Sequence, residues 1–489
     1  MGRDVPAMVF SREDRRRYRD KVRRCLDVFA QMLRESRFEF DRPRAGMEIE
    51  LNLVDDRGEP AMKNAEVLAA IARPDWATEL GQFNVEINVM PESLRGDGVM
   101  RLEKAVRDRL NHAEERANTV GGHMVMVGIL PTLRESDVHE GTLSANPRYK
   151  LLNEQIFQAR GEDLHLSIAG EESLDTYADS ITPEAACTSL QLHLQVSPAS
   201  FAAHWNAAQV LAGAQVAVAA NSPFLFGRKL WQETRIPLFE QATDTRSEEL
   251  KAQGVRPRVW FGERWITSVF DLFEENARYF PALLPLCDDA DPREELARGV
   301  TPELAELTLH NGTVYRWNRP VYAVVDGTPH LRVENRVLPA GPSVADAVAN
   351  AAFYYGLMRV LPQAERPVWT QMSFAAARDN LHEAARNGLE ARLYWPGLGE
   401  VAAAELILRR LLPLAYEGLD LWGVDPGPRD RLLGIIERRC VTGRTGASWQ
   451  SEMVKATKGL DRHEALRRMT LRYIEHMHAN EPVHTWPSP

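Results

Sequence analysis

GMEIELNLVD, residues 46–55, alternates Met47, Ile49, Leu51 and Leu53 with Glu48, Glu50, Asn52 and Val54. A period of two places the two sets on opposite faces of a β-strand. Two carboxylates then follow one another along the same polar face. Like charges at such positions repel, and a solvated strand usually carries threonine or mixed signs there. Either this face is simply wetted, or something positive is held on it.

The same alternation recurs three times. FNVEINV (83–89) sets Phe83, Val85, Ile87 and Val89 against Asn84, Glu86 and Asn88. LQLHLQV (190–196) sets Leu190, Leu192, Leu194 and Val196 against Gln191, His193 and Gln195. LRVENRV (331–337) sets Leu331, Val333, Asn335 and Val337 against Arg332, Glu334 and Arg336. Any one of these faces reads most simply as a half-exposed strand. Four of them together, built from Glu, Asn, Gln, His and Arg and nearly free of Lys and Thr, weaken that reading, because such groups are of a kind that would line a polar cavity. The carboxylates of Glu48, Glu50, Glu86 and Glu334, with the imidazole of His193, make a set suited to hard divalent cations such as Mg²⁺. Arg336 shares the face of Glu334 and presents a fork that matches phosphate oxygens. The chain has neither a Walker A motif nor a GxGxxG after a strand, so metal and arginine must hold the phosphates of any nucleotide.

The remainder of the chain fits a soluble globular protein: 489 residues, 44% hydrophobic and 26% charged. A net charge of −10 argues against a nucleic-acid surface, which needs clustered Lys and Arg. No apolar run has membrane-spanning length and the start lacks a signal pattern, so no membrane partner and a cytoplasmic location are expected. Cys25, Cys187, Cys287 and Cys440 lack CxxC or CxH spacing, which speaks against a zinc site or a disulfide framework. An amphipathic helix is expected over 11–36, started by Ser11, with others near 99–118 and 200–220 and a strand at 123–130. Beyond Ser343 the pattern is almost entirely helical. His476, His478 and His484 are expected in a frayed, solvated tail, and TGRTGASWQ (442–450) as a turn between helices. The expected organisation is an N-terminal helical segment (1–45), a catalytic domain (46–360) and a helical C-terminal portion (361–489) packed on the same domain.

Several stretches together resemble the glutamate-cysteine ligase family, including its bacterial carboxylate-amine ligase branch. They are GMEIELNLVD, QFNVEINVMPESL, NPRYKLLNEQ, SLQLHLQV, ANSPFLFGRKLWQETR and LRVENRVLP, in the family's order over roughly residues 40–360. The resemblance implies an α+β, glutamine-synthetase-like fold in which an antiparallel sheet curls into a cradle with helices behind it. It implies ATP and Mg²⁺, with two or three ions, and phosphorylation of a glutamate side-chain carboxylate before an amine, most often cysteine, displaces the phosphate. Carried over by position, Glu48, Glu50, Glu86 and Glu334 correspond to metal ligands, and His193 to the polar group beside them. Arg336 corresponds to the phosphate-binding arginine, Arg235 to one that holds the substrate carboxylate, and Arg148 with Tyr149 to a substrate-side pair. Two alternatives stay open: another amine acceptor, or a cradle that binds nucleotide or amino acid without turnover. A metal-dependent hydrolase is a weaker third reading, since its usual His/Asp signatures are missing.

Overall fold

The computed structural model describes residues 10–40, 44–457 and 459–489. Its organising element is a seven-stranded sheet. The strands are β1 (Ala45–Val54), β2 (Trp76–Thr78), β3 (Asn84–Glu92), β4 (His123–Val125), β5 (Ser189–Gln195), β6 (Asn318–Val325) and β7 (Thr328–Pro339). They lie in the order β6-β7-β5-β1-β3-β2, and β4 pairs with the far end of β1. Every ladder is antiparallel. The strand expected over 123–130 is shorter than its apolar run, because β4 runs antiparallel from Val54 to Asn52 of β1 and then heads into the Ala45–Ile49 stretch that β5 already pairs.

The apolar alternates of the four quoted stretches, Ile49, Leu51, Ile87, Leu192 and Val333 among them, are buried. Behind the sheet lie α1 (Arg12–Arg34), α2 (Phe201–Ala219) and α3 (Val344–Val360), followed by α4 (Leu412–Trp422) and α5 (Pro426–Thr442). The first starts at a capping box: Ser11 N donates to Asp14 Oδ2 (2.8 Å) and Asp14 N to Ser11 Oγ (3.1 Å). α2 and α3 are apolar nearly all round, which is why they run through the interior and not along the surface. Asn335, the polar member of an otherwise apolar face, is fully buried and bonded: its Nδ2 donates to Asn318 Oδ1 (2.8 Å), and Gln215 Nε2 donates to its Oδ1 (3.1 Å). Buried amides of this kind specify how α2 seats on β6 and β7, since an unmatched partner would be left dry.

The C-terminal helices share this core. α5 is tied to α3 by Arg439, whose guanidinium donates to Asp346 Oδ1 and Asn350 Oδ1, each at 2.7 Å. Two departures from expectation occur here. A hairpin, Arg392–Trp395 with Gly399–Ala402, interrupts the helices, turned by Pro396-Gly397 with Gly397 at a positive φ of 78°. The tail is docked and not frayed: Trp486 is 1% exposed, and its ring packs on Trp449, Tyr473 and His476. Within the 442–450 stretch the expected turn is confined to 443–445, with Gly443 ending α5 and Thr445 capping a helix that already contains Gly446 to Gln450.

Gly356 of α3 and Gly418 of α4 let these helices meet backbone to backbone. A Cβ on Gly418 would sit 1.8 Å from the Gly356 carbonyl oxygen. Gly418→Ala is therefore expected to destabilise the fold by more than the about 1–3 kcal/mol of ordinary overpacking. Denaturant unfolding measures it, and a variant as stable as the parent would disprove the close contact.

Candidate active site

The ladders decide which polar side chains meet. Glu50 lies opposite Glu86, Glu48 opposite both Asn88 and Gln191, and Glu334 opposite both His193 and Arg319. Two groups result, each with ligand atoms within 4.8 Å of one another: Glu48, His193 and Glu334, and Glu50, Glu79 and Glu86. The alternation read in the sequence thus brings all four expected carboxylates and His193 onto one floor, and adds Glu79 from the loop between β2 and β3.

The first group is rich in positive partners. Arg319 grips Glu334 with two N–H groups, Nη2 reaching Oε1 at 2.8 Å and Nε reaching Oε2. Arg336 Nη1 donates to the same Oε1 (3.1 Å) and to Gln191 Oε1. Burial opposes the charge on Glu334, yet the two arginines overcome it and hold the carboxyl well below its ordinary range. Burial likewise opposes Glu48, and the His193 ring outweighs it, bringing Glu48 to about 2. Arg332 Nε donates to His193 Nδ1 (3.0 Å). On its other side, His193 Nε2 lies 3.2 Å from Glu48 Oε1.

The second group is starved of positive charge. Glu50 accepts from Ser189 N (2.7 Å), Ser189 Oγ (3.0 Å) and Gln191 Nε2 (2.8 Å), yet burial still raises its pKa despite Arg336. Glu86 accepts from Asn88 Nδ2 (2.7 Å); burial and then the charges of Glu48 and Glu50 push it up to about 8. Glu79 is raised further, by burial and then by Glu86, Glu50 and Glu184. Three hard oxygen donors that repel one another into protonation fit a divalent cation better than they fit each other.

Arg235 is placed differently from its expected substrate role. Its guanidinium is buried, donating to Glu233 Oε1 (3.2 Å), to the Arg336 carbonyl (3.3 Å) and to the Val337 carbonyl. Packed under Trp317 and facing main chain, it holds β7 and leaves nothing for a ligand. Arg148 and Tyr149 open the helix Pro147–Arg160, capped by Asn146, whose Oδ1 takes Arg148 N at 2.9 Å. Tyr149 Oη donates to the Thr78 carbonyl (3.1 Å), next to Glu79, and burial followed by the charges of Glu79 and Glu86 raises its pKa. Asn221 and Ser222 serve the fold: Asn221 Nδ2 donates to the Ala340 carbonyl (2.7 Å) and Ser222 Oγ to Glu233 Oε1 (2.6 Å).

The sequence reading missed Glu79, Arg319 and Glu184. Arg319 was within its reach, because NRPVY alternates Asn318, Pro320 and Tyr322 with Arg319 and Val321. Glu79 and Glu184 lie outside regular strands and carry no periodic signal.

With this geometry in view, the comparisons with known proteins are specific. The model of glutamate-cysteine ligase family 2 (GCS2) matches residues 44–471. The chain belongs to that family. It is an ATP-dependent carboxylate-amine ligase. A glutamate-cysteine ligase from Francisella tularensis, solved in complex with AMP, superposes with a TM-score of 0.57 at 12% identity, covering 91% of this chain and 90% of that one. A bifunctional glutathione synthetase from Pasteurella multocida gives a TM-score of 0.48 at 11% identity over 93% of this chain and 55% of that one. At such identities the likeness is one of fold, and the fold is the glutamine-synthetase-like α+β cradle. No curated protein sequence matches the chain. Among the described residues, no helix is long and apolar enough to cross a membrane.

The raised pKa of Glu86 has a thermodynamic consequence. Between its ordinary value of 4.5 and about 8, the metal-free folded protein keeps a proton that the unfolded chain gives up. The contribution is therefore complete below about pH 4.5 and drains away as pH climbs to about 8. In chelator, Glu86→Gln is expected to lose less stability than the parent over that window, read from thermal melts. Parallel curves for the two proteins would refute the protonated state of Glu86.

Proposed function

We propose that this ligase joins the side-chain carboxylate of glutamate to the amine of cysteine, consuming ATP with Mg²⁺ and yielding γ-glutamylcysteine. The observation that supports it is the pair of acidic groups on one cradle floor, with Arg336 bonded to Glu334 of one and in the field of Glu50 of the other. Glu48 and Glu334, with His193 beside them, would hold one divalent ion, and Glu50, Glu79 and Glu86 a second. When bound, the ions supply neutralisation of the charge gathered between the γ-phosphate and the carboxylate it meets.

The protein's own groups do the rest by position. Arg336 presents its fork to phosphate oxygens, and Gln191 together with Glu334 sets its orientation. Arg332 orients the His193 ring through Nδ1, which leaves Nε2, without a hydrogen-bond partner among the described residues, open to a phosphate oxygen that enters beside Glu48. Ser189 and Gln191 clamp Glu50, so the second group keeps its shape when it gives up protons to a cation. Arg148 and Tyr149, at the end of the cradle where Glu79 lies, form the substrate side. Arg235 contributes by holding the main chain of Arg336.

Glu334→Gln keeps the shape and removes the charge, and is expected to cut turnover about 10²–10³-fold with the fold intact. Mg²⁺-dependent activity near that of the parent would reject the ligand assignment.

Arg336→Lys retains charge but loses the planar fork, so ATP use is expected to fall sharply. A lysine variant equal to the parent in nucleotide affinity and rate would exclude bidentate binding.

An acyl phosphate is open to any strong amine, so hydroxylamine is expected to yield the γ-hydroxamate of glutamate together with ADP. Mass spectrometry of a panel of amines with glutamate, ATP and Mg²⁺ then identifies the acceptor. A preferred amine other than cysteine would keep the ligase and change the product, whereas no adduct with any amine would favour a binding protein without turnover.

A further inference from the structure

Glu184 is a half-buried acid that neither metal group uses. It lies in the short helix Thr182–Ala186, and its Oε2 is shielded from solvent and has no hydrogen-bond partner among the described residues. An unpartnered carboxylate oxygen in a dry place is costly and calls for a ligand. Its position is fixed from two sides. Ile181 N donates to Asn153 Oδ1 (2.9 Å), pinning the segment to the helix that begins with Arg148 and Tyr149. On the other side it rests on the Glu79 loop so closely that a Cβ on Gly81 would come within 2.9 Å of Ala185 Cβ.

The charged and titratable groups facing Glu184 are Arg336, Glu50, Glu79, Tyr149, Tyr315 and Cys187. Glu184 thus closes the substrate end of the cradle, with the phosphate-directed Arg336 as its cationic neighbour. A ligase of this type has one reactant that demands such a group. The acceptor amine arrives as an ammonium and has to lose a proton before its nitrogen can attack. The donor carboxylate and the phosphate need positive partners, which Arg336 and ions held by the two acidic groups would provide; the ammonium needs a negative one.

We propose that the carboxylate of Glu184 binds the ammonium of the acceptor and takes its proton, an assignment that rests on the ligase reading above. The step balances as follows. One N–H proton passes to the Glu184 carboxylate, and the freed lone pair forms the C–N bond at the acyl phosphate carbon. The C–O bond to phosphate breaks with its electron pair leaving on phosphate, the nitrogen's second proton follows to phosphate, and Glu184 later returns its own proton to solvent.

The test compares two nucleophiles, the preferred amino-acid acceptor and hydroxylamine, which is uncharged at neutral pH and needs no deprotonation. Glu184→Gln is expected to lower kcat/KM for the amino acid about 10²–10⁴-fold, the range of a general base, while hydroxamate formation with ADP release stays within a few-fold of the parent. Raising the pH is expected to recover part of the lost amino-acid rate, because the free amine is then supplied by solvent. Glu184→Asp keeps the charge and is expected to raise KM for the amino acid more than it lowers kcat; it serves as well if the glutamine variant does not fold. Equal losses with both nucleophiles, or an unchanged amino-acid rate, would overturn the assignment. A parent that forms no hydroxamate would instead refute the underlying ligase reading.

Discussion

Five carboxylates, Glu48, Glu50, Glu79, Glu86 and Glu334, converge on a sheet face largely screened from water, and the rest of the molecule is arranged around keeping them there. Two like charges about 4 Å apart repel by about 4 kcal/mol even at an effective dielectric of 20. The protein meets this unevenly. On the β6-β7 side, Arg319, Arg332 and Arg336 surround Glu334 and His193, and Glu334 stays ionised. On the β1-β3 side the groups facing Glu79 are Glu86, Glu50 and Glu184, and protons take the place of arginines. The floor is thus polarised along the sheet, with one half neutralised by its own arginines and the other by protons.

That polarity depends on Arg336, which follows Glu334 on the inward face of β7 and donates to it. The ladder between β5 and β7 slips between Asn335 and Leu338, which are paired with Leu192 and Leu190, so β7 gains a residue there. A bulge of this kind re-aims a side chain and strands main-chain groups. Here Arg336 N finds the Trp317 carbonyl at 2.9 Å, and the carbonyls of Arg336 and Val337 take the guanidinium of Arg235. Arg235, buried beside Glu233, is therefore the counterpart of the bulge. Its conspicuous position after ANSPF reflects the need to fix Arg336.

How much of this could be read from the chain follows from the same physics. Glu48, Glu50, Glu86, His193, Glu334 and Arg336 were legible because each sits on a strand whose other face is buried, and burial enforces a period of two that one glance detects. Asn335 was legible as an inward position, though its amide partners in α2 were not, since they lie more than a hundred residues away in sequence. Glu79 and Glu184 were illegible because a loop and a short helix carry no period, and their proximity is a product of tertiary packing. Arg235 was misread because a buried arginine that bonds carbonyls and a solvent-facing one that bonds a substrate look identical in sequence. The Arg392–Ala402 hairpin was overlooked among helices, although its Pro-Gly turn is a local signal.

The division between sheet and loops also explains why the acceptor is the least legible part of the chemistry. Positions on a ladder are fixed by many main-chain bonds at once, so a ligand group built there tolerates little drift. The groups at the substrate end lie in loops and a short helix held largely by side-chain bonds: Asn64 Nδ2 donates to Thr78 Oγ1 (2.9 Å) and Ser144 Oγ (2.7 Å), Ser144 Oγ bonds the Glu79 carbonyl, and Asn153 holds Ile181. A pocket for the acceptor made from such segments can change shape without a change in any strand, and discrimination between acceptors differing by a methylene needs only about 1–3 kcal/mol. The strands therefore carry the record of the phosphoryl chemistry, while the choice of amine rests on a few side chains whose arrangement only the folded loops reveal.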